Sequence, residues 1–134
     1  MKTELQLKPF LMSILYAIIA SELVNSILFV LGQNMGLIST TLIIPNAGTP
    51  LILPMILMSS SMPVVVGGLI YFLLHKFTTT PKKIFNIISI GFLIVSLYGP
   101  FSIPDVPMSM AIMLNIMHVV VGFSTMFFLG SLKK

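Results

Sequence analysis

The chain has 134 residues, of which 57% are hydrophobic and only 7% charged, and its mean hydropathy is +1.11. A water-soluble domain places about 25% of its residues in the charged class, so a soluble fold would have little with which to cover its surface. The sequence lacks cysteine, which excludes disulfides and thiolate metal sites, and it lacks arginine, which removes the bidentate fork for phosphate and base edges. Its net charge of +4 does not point to nucleic acid, because the lysines sit at the ends of apolar runs rather than along one face.

The first apolar run covers residues 10–31 and contains Glu22 and Asn25. Lys2 and Lys8 give it a basic start like that of a leader. Ile18, however, is bulky for a cleavage site before Ala20, and the run continues past Glu22, so an uncleaved helix is expected. The stretch 33–51, "QNMGLISTTLIIPNAGTPL", has no charged residue. It reads as a long outer loop that lies along the membrane interface, packs over the bundle top, or dips back as a lid over a cavity.

The second run covers 52–74, with Pro63 expected to bend it and Ser59 and Ser60 placed just before the bend. "HKFTTTPKK" at 75–83 is a polar turn, with Pro81 opening the next helix. The third run, 84–98, is the shortest, and it can borrow Pro100 and Phe101 to reach the roughly 20 residues a spanning helix needs. Gly99 and Pro100 are expected to stop it. "GPFSIPDVPMS" at 99–109 reads as a turn, and Ser109 is placed to cap the fourth run, 110–129. "LIIPNAG" at 42–48 faintly echoes "FSIPDVP" at 101–107, as duplication of a helical hairpin would produce.

The lysines set the orientation. Lys2, Lys8, Lys76, Lys82, Lys83, Lys133 and Lys134 all fall on one side of a four-span layout, and the other side carries only Asp105. This positive-inside pattern puts both termini in the cytoplasm. The expected fold is therefore all-α: an integral membrane four-helix bundle, with residues 1–134 forming a single membrane domain.

Glu22 and His118 each lie near the middle of their runs. Asn25 and Asn115 each lie three residues farther outward, an offset of roughly 4.5 Å at 1.5 Å per residue. Antiparallel packing of the first and fourth helices then allows a two-rung ladder, Glu22 with His118 and Asn25 with Asn115. These four are the candidate binding residues. The helix faces agree with inward placement: Ser59, Ser60, Pro63 and Gly67 in the second, Asn86, Ser89, Leu93 and Ser96 in the third, and Asn115, His118, Gly122 and Thr125 in the fourth.

A charged carboxylate at helix centre costs about 2.5–3.5 kcal/mol on insertion scales, so Glu22 is not expected to face lipid ionised. Three states stay open for it: protonated and hydrogen-bonded, ionised beside a protonated His118, or open to a water-filled cavity. His75 lies too far from His118 in depth for a paired haem ligation, and the methionines read as core filler. No cofactor and no metal site is expected, and no enzyme motif is present.

Several segments, "SELVNSILF" (21–29), "HKFTTTPKKIFNIIS" (75–89), "PFSIPD" (100–105) and "LNIMHVVVGF" (114–123), resemble a family of small bacterial four-helix integral membrane proteins whose function is unassigned. The resemblance implies the topology, a multi-pass protein of the bacterial cytoplasmic (inner) membrane, and importance for Asn25 and His118. It implies no mechanism.

The leading functional expectation is a small polytopic protein with a polar intramembrane site that binds or passes a small solute, a proton or a lipid. Its cavity is expected between the first and fourth helices, beneath the 33–54 segment. The alternative is an accessory subunit whose buried polar residues only fix helix packing. A lipid- or quinone-modifying enzyme with His118 as base ranks third. The partners expected are membrane lipids, and a second copy or a larger membrane complex, with no nucleic acid.

Overall fold

The structure, a computed structural model, describes residues 5–45 and 47–132; Lys2, Lys133, Lys134 and Asn46 lie outside them. Among the described residues there are four α-helices: α1 (Leu7–Asn34), α2 (Leu53–Phe77), α3 (Pro81–Ser96) and α4 (Met108–Gly130). A short antiparallel hairpin, β1 (Ile43–Ile44) with β2 (Thr49–Pro50), joins α1 to α2. A 3-10 helix, Pro100–Ser102, follows α3.

All four helices are long and apolar enough to cross a membrane; the third qualifies as the continuous segment Pro81–Ser102. Their outer faces are apolar as well. Leu69, Phe92 and Val95 are 60%, 66% and 72% exposed, a surface that acyl chains solvate and water does not. The chain is thus an all-α bundle of the integral membrane type.

The inward stripes run at helical spacing. In α1 they are Ala17, Ser21, Asn25, Phe29 and Gly32, and in α2 they are Ile56, Ser60, Val64, Gly68 and Tyr71. Hydrocarbon solvent gives no hydrophobic drive between helices, so small residues that let backbones approach carry the association. A Cβ on Gly68 would stand 2.6 Å from Ile14 Cδ1, and one on Gly32 would stand 2.8 Å from Ile38 Cδ1. Helix α4 contacts each of the other three. Helix α3 is the outermost, with 11% of its span buried against 22–28% for the others; its buried residues are Pro81 and Phe85, both in its first turns.

Phe10, Tyr71, Phe85 and Leu129 form one core cluster, with the Tyr71 and Phe85 rings edge to face at 5.2 Å. That cluster joins the start of α1, the end of α2, the start of α3 and the end of α4. Lys8, Lys76, Lys82 and Lys83 therefore share one end of the bundle. At the opposite end Phe29, Ile38, Leu51, Ile56, Met110, Leu114 and Met117 pack together. The segment after α1 lies over this end and contributes Ile38 and Leu51 to its core.

Three local expectations are corrected. Gly99 has right-handed helical backbone (φ −53°, ψ −52°) and stops nothing. Regular α-helix already ends at Ser96. The chain then tightens into i→i−3 bonds, Tyr98 N–H to Val95 O and Gly99 N–H to Ser96 O, because Pro100 has no N–H to continue the α pattern. Ser109 does not cap α4: it lies inside the first turn and donates to Leu37 O at 3.3 Å, while Pro107 occupies the cap position. The echo between 42–48 and 101–107 has no structural counterpart, since the first segment enters the β-hairpin and the second a 3-10 turn.

Gly68→Val drives a branched side chain into Ile14 and is expected to destabilise the bundle by about 1–3 kcal/mol. Gly91→Val, whose Cβ meets nothing within 4 Å, should leave stability unchanged. Unfolding of the two variants in mixed micelles titrated with dodecyl sulfate measures the difference.

Candidate functional site

Asn25 is only 2% exposed. Its Nδ2 donates to Ser60 Oγ at 2.9 Å and to the Met117 carbonyl at 3.3 Å. A backbone carbonyl can only accept, so the amide orientation is fixed by chemistry. One side chain of α1 therefore ties α2 and α4 to it. Asn25 Oδ1 is buried and has no hydrogen-bond partner among the described residues.

One turn earlier, Glu22 is half-buried against α2. Ser61 Oγ lies 2.5 Å from Glu22 Oε1 and 2.7 Å from the Leu57 carbonyl. The acid is thus held in the α1–α2 groove, away from His118. His118 Nδ1 lies 2.7 Å from the Leu114 carbonyl and must carry a proton to bond it, which leaves Nε2 as an acceptor in the neutral ring. Asn115 Oδ1 is buried without a partner among the described residues.

Neither expected rung forms. Offsets along the chain say nothing of rotation, and helix rotation decides contact. Helix α4 turns Leu114, Met117 and Val121 into the core, which carries His118 round toward α3. Asn25 meets the Met117 carbonyl instead of the Asn115 side chain.

A cavity of about 500 Å³ lies among α2, α3 and α4, with Asn25 of α1 on its wall. Its apolar lining includes Ile56, Val66, Ile70, Leu93 and Val121, and its polar lining is Ser59, Ser60, Ser89, Ser96, His118 and Thr125. Gly67 and Gly122 contribute no side chains to the wall. Phe85, which approaches Gly67, narrows the lysine-bearing end. The lining residues Met62, Val66 and Phe92 are 59%, 49% and 66% exposed, so the mouth opens toward lipid between α2 and α3. The cavity expected between the first and fourth helices is therefore misplaced: those helices pack closely, and no described residue of 33–51 lines the observed cavity.

Of the four candidate residues, the structure brings Asn25 and His118 to one cavity and leaves Glu22 and Asn115 outside it. No charged side chain lines it among the described residues, and among them no three His, Asp or Glu side chains come together as a metal site. Sequence reasoning missed Ser61 as the partner of Glu22, for which a serine one position along α2 from Ser60 gave little signal. The residues that helical spacing placed on inward packing faces of α2, α3 and α4 partly line the space: Ser59, Ser60, Pro63, Gly67, Ser89, Leu93, Ser96, His118, Gly122 and Thr125 do, and Asn86 and Asn115 do not.

The family of unknown function DUF6069 matches the chain over residues 6–132. The chain belongs to that family. Neither a curated protein nor a solved structure matches it. DUF6069 carries no assigned activity, so for this member the cavity and its polar wall are the observations from which function is argued.

A double-mutant cycle separates the observed contacts from the rejected ladder. Asn25→Ala and Ser60→Ala should couple by about 0.6 kcal/mol, and by no more than about 1.7, the range for hydrogen bonds between membrane helices. Asn25→Ala with Asn115→Ala should be additive in the same unfolding assay.

Proposed function

We propose that this DUF6069 protein binds a small apolar or amphipathic molecule, taken from the bilayer, in the cavity among α2, α3 and α4. The supporting observation is the cavity itself: about 500 Å³, within the roughly 300–1,000 Å³ typical of small-molecule sites, mostly apolar, and carrying a few polar groups on its wall. His118 is the polar contact with an open nitrogen, and Asn25 lies on the side toward α1. The mouth between α2 and α3 gives entry from lipid, so membrane lipid is the proposed source of the ligand.

In this reading the lysine-bearing end faces the cytoplasm, with Lys8, Lys76, Lys82 and Lys83 at the anionic inner surface, and the protein resides in a bacterial cytoplasmic membrane. Asp105 and the β-hairpin then lie on the opposite side.

A second reading draws on the Asn25–Ser60 and Glu22–Ser61 bonds. Both link α1 to α2, and both suit an accessory subunit whose polar residues only hold register. The two readings differ in what α3 does, because register bonds between α1 and α2 require nothing of a space beside α3.

Ser89→Phe fills the cavity from α3 without touching either bond. Native mass spectrometry of the protein released from micelles should show a lipid adduct on the wild type and its loss in this variant. Equal adducts on both, or none on either, would sink the binding reading and leave the accessory one.

Orientation is checked independently, since the chain has no cysteine of its own. In intact cells a membrane-impermeant maleimide should label Asp105→Cys and should label Lys83→Cys only after permeabilisation.

A further inference from the structure

The polar wall of the cavity has a consistent chemical sense. Thr125 Oγ1 donates to Val121 O at 2.7 Å, Ser96 Oγ to Leu93 O at 2.7 Å, and Ser59 Oγ to Ile56 O at 3.1 Å. His118 Nδ1 donates to Leu114 O at 2.7 Å. Each of these groups has committed its proton to a carbonyl of its own helix, and each keeps a lone pair. Asn25 repeats the pattern across helices: both Nδ2 hydrogens have acceptors, in Ser60 Oγ and Met117 O, and Oδ1 has no donor. Around His118 the wall presents acceptors, and the donors it keeps are the hydroxyls of Ser60 and Ser89, for which no acceptor is observed among the described residues.

We infer that the site selects a neutral, hydroxyl-bearing amphipath, such as a lipid alcohol, over ester, ether or ketone analogues that carry only acceptors. This rests on the binding reading above. At His118 an acceptor-only head would bring lone pair against lone pair and would leave Nε2 unpaired in hydrocarbon, a penalty that specific sites use to reject analogues lacking a donor. A phosphate head is disfavoured because no lysine lines the cavity to offset its charge. A cation would match the lone pairs but would enter a low-dielectric space with no carboxylate on its wall, because Glu22 is held by Ser61 in the α1–α2 groove. The hydroxyl binds at His118 Nε2, since Nδ1 is taken by its own helix and Nε2 has no partner among the described residues.

The test compares two probes of nearly equal shape, hexadecan-1-ol and its methyl ether, added at equal concentration to the full-length protein in micelles and read by native mass spectrometry. The alcohol should be retained about tenfold better, the ratio one net hydrogen bond supplies. His118→Phe should reduce that ratio to about one while still binding both probes. Equal retention of alcohol and ether by the wild type overturns the inference and leaves the binding reading standing. Retention of neither overturns both. Stronger retention of hexadecylammonium than of the alcohol also overturns it, in favour of a cation site. If His118→Phe fails to fold, the wild-type ratio alone decides, because it involves no substitution.

Discussion

A hydrogen-bonding proton in hydrocarbon has nowhere to go except to an acceptor supplied by the protein. Two responses to that constraint shape this bundle. Ser13, Ser21, Ser96, Thr125 and His118 turn back to a carbonyl three or four residues earlier in their own helix; they are satisfied before any neighbour arrives and hold no helix to another. Asn25 cannot satisfy itself in this way. Its amide has two hydrogens and an oxygen, and it reaches across to Ser60 and Met117. The hydrogen bonds that join α1 to α2 and to α4 at mid-depth come from this residue, with Glu22–Ser61 adding a second link to α2.

The position of α3 follows from what it lacks. Helices α1, α2 and α4 are drawn together by Asn25 and by close contacts such as Gly68 with Ile14. Helix α3 has no hydrogen bond of that kind among those observed; it is anchored by Phe85 at the lysine-bearing end and touches α4 where Leu93 meets Gly122. Beyond Phe85 its residues are at most half-buried. A helix held firmly at one end and lightly along its length leaves a gap beside its neighbours, and the cavity is that gap. Much of its polar wall consists of Ser59, Ser96, Thr125 and His118, which bond carbonyls of their own helices whether or not anything is bound.

How much of this was legible in the sequence depended on whether the signal was one-dimensional. Hydropathy located four spans, and lysine position grouped the helix ends, because both properties read directly along the chain. Helical spacing also picked out inward faces of α2, α3 and α4, though it read them as packing stripes rather than as the wall of a cavity. The pairing of polar residues was not legible. Offsets of three residues fix depth, but Asn25 finds a backbone carbonyl as readily as a side chain, and a carbonyl leaves no mark in the sequence. The turn chemistry failed at Gly99 for a related reason: glycine permits a left-handed stop without requiring one, and Pro100 alone was enough to tighten the helix. The hairpin at 43–50 was hidden because an uncharged, apolar stretch at a membrane surface gives the same pattern as loop, strand or re-entrant segment.

The separation of Glu22 from His118 bears on what the bundle can carry. A proton relay through an apolar core needs ionisable or hydroxyl groups in a continuous hydrogen-bonded chain. Here the acid belongs to the α1–α2 groove and the imidazole to the α2–α3–α4 cavity. Between them lies the layer of Asn25, whose amide hydrogens are committed to Ser60 and Met117. An ion path faces a similar obstacle, since the cavity wall has no carboxylate and no lysine to replace the hydration that an ion would lose. The hydroxyls of Ser59, Ser96 and Thr125 cannot pass a proton along without first giving up bonds to their own helix. The proposed ligand is therefore a neutral molecule with an apolar body, which would enter from lipid and leave the same way, and for which the hydrocarbon around the bundle is the ordinary solvent.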